Sequence, residues 1–293
     1  MRRGITIKAF AKINLDLQVL GVRPDGYHEL RTTFQSVALS DVLTFTRTRG
    51  PFRIECDDPT LPTDRSNLIW KAAERLMRLS RRRDIPSGVT VHVEKNIPMQ
   101  SGLGGGSSDA AATLRALSLL WRVRVSEAEL HHAAAALGAD VPYFLEGGTA
   151  LGFHRGDLVY PLDDIASAWV VIVVPDFGVS TKEAFAWWDA AQGQVRRVRQ
   201  VGQVGRSRRH EGGANDLQAV VAARHPVVTK LVRTLTKHGA FHASLSGSGS
   251  AVFGLFRRRP AAQAAARSMA GTRTFVTPTL DRKRCRRLGP FRG

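Results

Sequence analysis

Cysteine is scarce in this sequence: Cys56 and Cys285 are the two among 293 residues. So small a number builds no disulfide framework and their spacing matches no metal site, so a reducing cytoplasm is the expected compartment. Long apolar runs are lacking too. No stretch approaches the roughly 20 apolar residues that span a bilayer. The opening MRRGITIKAF carries two arginines with no apolar signal-peptide core behind them. No membrane partner is expected. Acidic residues are few beside basic ones, 25 against 43, for a formal net charge of +18. That excess invites a nucleic-acid reading, but its distribution argues otherwise. Residues 193–210 hold six arginines and no acid, and residues 281–293 hold six basic residues and one acid. Most of the excess therefore falls in one surface loop and one terminus. No aromatic-interleaved basic stripe, zinc-finger spacing or RNA-binding motif accompanies it. Solvated charge, or a substrate bearing several negative charges, fits better than nucleic acid.

What is present reads as a folded protein. Hydrophobic residues make up 43% and charged residues 23%, and the length supports two modest domains or one large one. ITIKAFAKINLDLQVL (5–20) alternates loosely and reads as strand followed by strand, with a break near residues 11–14. GVRPDGYHEL (21–30) contains Pro-Asp-Gly, a turn signal. SNLIWKAAERLMRL (66–79) has helical spacing with Ser66 as N-cap, and residues 88–98 read as a strand ending at Pro98. Leu114, Leu117 and Trp121 share one face of a helix starting near Asp109. Ser126 and Glu129 form a capping box that opens a helix closed by Gly138.

Farther along, residues 168–177 read as a buried strand, with helices at 181–192 and 215–237. Residues 241–256 read as strand, turn and strand, then a helix at 260–271 and a strand near 273–277. Strands and helices mix without regular βαβ alternation, so the expected class is α+β. A boundary in the polar stretch 155–167 divides the chain into domains 1–160 and 161–293. The Arg/Gly/Gln-rich segment 193–213 is expected to be mobile.

The run MQSGLGGGSSDAAA (99–112) packs four glycines and three serines against an alanine helix. A Walker loop is excluded because no lysine follows the last glycine. The dinucleotide fingerprint is excluded because Ser107 stands at the third glycine position after Gly102 and Gly104. The ingredients of an anion cradle are nevertheless there. Glycines bring backbone N–H groups close to a ligand, and Ser107 or Ser108 is placed to cap a helix whose positive end faces the loop. Phosphate is the natural occupant.

PMQSGLGGGSSDAAA (98–112) resembles the phosphate-binding loop of the GHMP kinase superfamily, which includes galactokinase and the homoserine, mevalonate and phosphomevalonate kinases. AKINLDLQVLGVRPDGYHEL (11–30), GADVPYFL (138–145), NDL (215–217) and SLSGSGSAVFGLF (244–256) follow in the expected order, so the resemblance runs from about Ile7 to Phe256. AKINL, DGYHEL and GADVP narrow it to the branch acting on cytidine-diphosphate-linked methylerythritol in non-mevalonate isoprenoid synthesis. The resemblance implies a two-domain fold with the active site between an ATP-binding N-terminal domain and a smaller C-terminal α/β sandwich. It implies ATP-dependent phosphorylation of the 2-hydroxyl of that substrate. A mevalonate-type or homoserine kinase, or a non-catalytic nucleotide- or RNA-binding protein, are the other readings.

Phosphoryl transfer to an alcohol needs the nucleotide phosphates held, the developing charge neutralised and the hydroxyl proton accepted. The resemblance puts the last two tasks on Lys12 of AKINL and Asp140 of GADVP. Lys12 lies between apolar Ala11 and Ile13, and Asp140 stands between Gly138 and the rigid Val141-Pro142, so both settings suit fixed charges. Asn14 is expected to contact the substrate or orient Lys12, a buried structural amide being the other reading. The ATP-binding set that the resemblance implies is Asn67, Lys95, Pro98, Met99, Gln100, Ser101, Gly102, Leu103, Gly104, Gly105, Gly106, Ser107 and Ser108, with Lys95–Pro98 expected to run beside adenine and Asn67 nearby. The resemblance carries cytosine recognition to Tyr27 and His28, whose rings offer stacking and hydrogen bonding. Phe185 is either the opposite face of that base site or core packing. Gly247 and Gly249 form a tight turn near the substrate diphosphate or the ATP phosphates. Mg²⁺ is expected with ATP, with Ser108 as a candidate ligand and no dedicated metal cluster in view. A monomer or weak homodimer is expected.

Overall fold

The computed structural model describes residues 4–80, 86–192, 215–269 and 271–288. The arginine-rich stretch 193–213 lies outside them. In chain order the elements are β1 (Gly4–Val22), β2 (His28–Pro51), β3 (Arg53–Cys56), α1 (Leu68–Leu79), β4 (Ser87–Glu94), α2 (Gly105–Leu120), α3 (Glu127–Leu137), α4 (Tyr143–Glu146), β5 (Thr149–His154) and β6 (Leu158–Pro161). These are followed by β7 (Trp169–Val174), α5 (Thr181–Gln192), α6 (Asp216–Arg224), α7 (Val227–Lys237), β8 (His242–Leu245), β9 (Val252–Phe256), α8 (Arg259–Arg267), β10 (Arg273–Pro278) and α9 (Arg282–Leu288). The fold is α+β, as the mixed pattern predicts.

Two sheets result. The first runs β3-β4-β2-β5-β6, with β1 paired to β2, and the second runs β10-β7-β9-β8. β2 organises the first sheet: it pairs β1 along nearly its whole length, β5 through Leu30–Gln35 and β4 through Val42–Pro51. The Pro-Asp-Gly turn closes the β1–β2 hairpin as expected. Gly26 takes the left-handed conformation there, and the Arg23 N–H donates to the Tyr27 carbonyl at 2.7 Å.

β1 is one continuous strand, which corrects the expected break at residues 11–14. Register shifts at Phe10/Ala11 and Asn14/Asp16 take up the irregularity. Between them the strand still alternates. Ala11 and Ile13 point into a core shared by the two sheets, with Val37, Ile97 and Leu103 on one side and Val170, Ile172 and Phe253 on the other. Lys12 and Asn14 therefore point the opposite way, into the cleft. Local physics selects that face: fully buried Ala11 and Ile13 claim the apolar side.

Several helix boundaries differ from expectation. Asn67, not Ser66, caps α1, its Oδ1 accepting the Ile69 N–H at 2.9 Å. Ser66 is drawn back into the preceding turn, where its N–H and Oγ both donate to Asp64. α2 starts at Gly105, four residues before Asp109, with left-handed Gly104 as N-cap and no side-chain cap. Ser107 and Ser108 are thus inside the first turn and cap nothing. The expected helix 215–237 is two, α6 and α7, because Pro226 lacks the N–H that would continue the first. α9 was not foreseen; it follows Leu280, whose N–H donates to the Ser36 carbonyl of the first sheet at 2.9 Å.

The capping box at α3 is present with both reciprocal bonds, Glu129 N–H to Ser126 Oγ at 3.2 Å and Ser126 N–H to Glu129 Oε2 at 2.8 Å. Replacing Ser126 with Ala is expected to destabilise the protein by about 1 kcal/mol, read as a lower midpoint in urea denaturation with an unchanged slope.

Candidate active site

On the Lys12–Asn14 face of β1, away from the core shared by the two sheets, lies a cleft of about 1050 Å³. Nearly all of the residues expected at the site line it: Lys12, Asn14, Tyr27, His28, Lys95, Pro98, Met99, Gln100, Ser101, Gly102, Gly104, Gly105, Gly106, Ser107, Asp140, Phe185, Gly247 and Gly249. Asn67, Leu103 and Ser108 do not. The Asn67 amide is spent on the α1 cap and on the Pro62 carbonyl. Ser108 is buried behind the cradle, and the Leu103 side chain is in the core while its carbonyl accepts the Lys12 N–H at 3.0 Å.

At the cleft floor Lys12 Nζ stands 3.3 Å from Asp140 Oδ2 and donates to Asn14 Oδ1 at 2.7 Å. The lysine side chain is 4% exposed and the carboxylate 33%, so the cation is fixed while the acid stays open to a ligand. The Asn14 Nδ2 donates to Thr32 Oγ1, and Thr32 donates in turn to the Asp16 carbonyl. This relay locks the amide with its oxygen toward Lys12. Asp140 follows Gly138, the last cap of α3, and precedes the short α4, which fixes it at a helix junction.

One wall is the glycine loop. The first helical hydrogen bond of α2 runs from the Ser108 N–H to the Gly104 carbonyl. The N–H groups of Gly105, Gly106 and Ser107 therefore precede the helical ladder and are free for an anion at the positive helix end. The loop is docked onto the turn between β8 and β9. Ser246 Oγ donates to the Gly102 carbonyl at 3.0 Å and the Ala251 N–H to the Ser101 carbonyl at 3.0 Å. That turn is itself held by Asn215, which donates to the carbonyls of Leu245 and Gly247. A Cβ on Gly247 would come within 3.2 Å of both Asn14 Oδ1 and Lys12 Nζ, so the turn closes directly over the Lys12 pair.

The opposite wall is aromatic. The His28 ring stacks on Phe185 at 4.4 Å and meets Trp188 edge-on, while Tyr27 is largely exposed with the Arg155 guanidinium 5.1 Å over its ring. Phe185 thus belongs to the cleft wall as well as to the second core. His28 Nε2 lies 2.8 Å from Asp189 Oδ1. Asp189 and Arg155 were not anticipated. Asp189 has a signal in hindsight, since it stands four residues after Phe185 on α5 and shares its face. Arg155 has none; it is oriented by Asp157 across the β5–β6 turn.

Lys95 is the largest surprise. Its Nζ is not free for a nucleotide base but is held by the carboxylates of Asp41 and Asp109. Burial alone would lower the Lys95 pKa, and the two carboxylates outweigh it and hold it above the usual value. Burial, with Asp41 adding to it, raises the Asp109 carboxyl to about 7 against the pull of Lys95.

Among the described residues no three His, Cys, Asp or Glu side chains converge as a metal cluster. The donor set fits Mg²⁺ held mainly by phosphate oxygens, which needs few protein ligands. The Ser107 hydroxyl, in the first turn of α2 and on the cleft lining, would be the protein donor in place of the expected Ser108. No described helix is long and apolar enough to cross a membrane.

A helix-end glycine cradle facing a lysine–aspartate pair, in a chain whose second sheet is antiparallel and whose first is antiparallel apart from the β3–β4 pair, defines a small-molecule kinase of the GHMP class. Residues 67–148 match the GHMP kinases N terminal domain and residues 200–272 the GHMP kinases C terminal family. The chain belongs to the family of 4-diphosphocytidyl-2-C-methyl-D-erythritol kinases. It is 40% identical to that kinase of Moorella thermoacetica, over 94% of this chain and 99% of the relative. It is 41% identical to that of Prosthecochloris aestuarii, over 94% and 98%. A crystal structure of 4-(cytidine 5'-diphospho)-2C-methyl-D-erythritol kinase superposes with a TM-score of 0.76 at 29% identity, covering 94% of this chain and 99% of that one. Homoserine kinase from Cytophaga hutchinsonii, at 19% identity and a TM-score of 0.68 over 97% of both chains, shares the fold.

Proposed function

We propose that this chain transfers the γ-phosphoryl group of ATP to the 2-hydroxyl of 4-diphosphocytidyl-2-C-methyl-D-erythritol, in the cytoplasm, as a step of non-mevalonate isoprenoid synthesis. The observation that carries the reading is the 3.3 Å Lys12–Asp140 pair between the helix-end cradle and the His28–Phe185 wall. Relatives of near-equal length carry that kinase's name.

The N–H groups of Gly105, Gly106 and Ser107 bind the ATP phosphates. Asp140 accepts the proton of the 2-hydroxyl as its oxygen bonds to the γ-phosphorus. The bond from that phosphorus to the bridging oxygen breaks and leaves ADP. Lys12, its ammonium aimed by Asn14, offsets the charge that develops on the transferring group. Mg²⁺ bound with ATP would neutralise phosphate charge, with Ser107 holding it. Tyr27, His28 and Phe185 grip the cytosine, and Asp189 fixes the orientation and tautomer of His28.

The deciding experiment couples ADP release to each candidate acceptor. Turnover with the cytidyl substrate and none with mevalonate phosphate or homoserine is expected. The reverse pattern would overturn the assignment. Replacing Asp189 with Ala is expected to raise KM for the cytidyl substrate about tenfold through loss of one charge-assisted hydrogen bond. KM for ATP should stay put, which initial-rate kinetics with each substrate varied in turn will read.

A further inference from the structure

Two side chains from opposite ends of the phosphate loop meet beneath it. Lys95 follows β4 and leads into the loop, whereas Asp109 lies in the first turns of α2 and leads away. Lys95 Nζ donates to Asp109 Oδ2 at 3.0 Å and also to the Asp41 carboxylate on β2. The three side chains are 4%, 3% and 0% exposed in the order Lys95, Asp109, Asp41, so no solvent screens the contacts. The second oxygen of Asp41 accepts the N–H groups of Asn96 and Ile97 at 2.6 and 2.8 Å. The same carboxylate that anchors the ammonium therefore also anchors the backbone entering the loop. A Cβ added to Gly105 would stand 2.9 Å from Lys95 Nζ, which puts the ammonium directly under the first residue of the cradle.

We propose that Lys95, with Asp41 and Asp109, is a clasp that fastens both ends of the phosphate loop to β2 and so holds the cradle N–H groups in register for the nucleotide phosphates. Lys95 is then a positioning residue for ATP and not a reader of its adenine. The identity of the anion as ATP rests on the function proposed above; the clasp itself does not. A buried ion network is often replaceable by apolar side chains at little cost in stability. This one stands where its loss would instead release a binding surface whose value lies in being held still.

Asp109→Asn keeps the side-chain volume and leaves Lys95 paired with Asp41, so the fold is retained while the α2 arm of the clasp loses its charge and is weakened to a hydrogen bond to a neutral acceptor. In nucleotide-free protein, hydrogen exchange of the amides in residues 98–108 should speed up about tenfold. KM for ATP should rise about tenfold with KM for the cytidyl substrate within twofold. Lys95→Met should weaken ATP and GTP in parallel. Unchanged exchange together with unchanged KM for ATP in Asp109→Asn would overturn the clasp. So would a Lys95→Met protein that loses its preference between ATP and GTP while its loop exchanges normally, because that is the behaviour of a base contact. If the wild type does not turn over the cytidyl substrate, the proposed function falls and loop exchange still decides the clasp.

Discussion

Asp140→Asn is expected to lower kcat about 10³-fold while KM for either substrate moves by no more than about threefold. The amide keeps the shape of the carboxylate and its place at the α3–α4 junction, so ligand binding survives. What it loses is the ability to take a proton, the task proposed for the 33% exposed Asp140 side chain 3.3 Å from Lys12. Lys12→Met should cost a similar factor through a different loss: the ammonium beside the transferring group is gone, and Asn14, still tethered by Thr32, is left aimed at a methyl group. Because the two residues act as a unit, the double variant should be little worse than either alone. Steady-state kinetics with circular dichroism as a check on folding will measure all three. A kcat for Asp140→Asn within tenfold of wild type would remove Asp140 as the base.

The second large effect comes from adding one carbon atom. Gly102 has φ of +77°, and a Cβ there would stand 2.1 Å from the Ser246 carbonyl oxygen and 3.1 Å from the backbone of Gly249. Those neighbours are main chain and have no rotamer to escape into. Gly102→Ala must therefore push the loop off the β8–β9 turn. A stability loss above about 3 kcal/mol is expected, combining left-handed strain with the clash, and a fall of at least about 100-fold in kcat/KM for ATP. Gly239→Ala is the control: its φ is +91° but nothing lies within 4 Å of the added carbon. It should show only the strain, about 1 to 2 kcal/mol, with normal kinetics. Thermal melts and ATP kinetics on the pair separate close approach from backbone conformation; equal losses in both would refute the docking argument.

Much of the site was legible because its signals are local. Pro-Asp-Gly closes a hairpin wherever the flanks are strands, and clustered glycines before an alanine helix make a helix-end cradle. Lys12 and Asn14 fall on the face opposite Ala11 and Ile13 by simple alternation. What stayed hidden depends on residues distant in sequence. Asp41 lies 54 residues before Lys95, so nothing near Lys95 indicated that its charge was already committed. The helix start was misplaced for a related reason. Serines next to an apolar run look like caps, yet Gly104 can turn the chain left-handed and let the helix begin earlier. Strand bulges escape periodicity altogether, since an alternating pattern that slips by one residue reads as a break when the pairing strand is out of sight.

The core beneath Lys12 joins side chains of β1 and β2 to those of β7 and β9, and a second core sets Leu17, Val19 and Leu30 of the first hairpin among Leu217, Val221 and Leu245. The two halves therefore share apolar cores along their seam. Neither half can melt while the other stays intact without exposing the apolar side of the strand that bears Lys12. Heat should thus take the chain apart in one cooperative step, with activity and structure disappearing along the same curve.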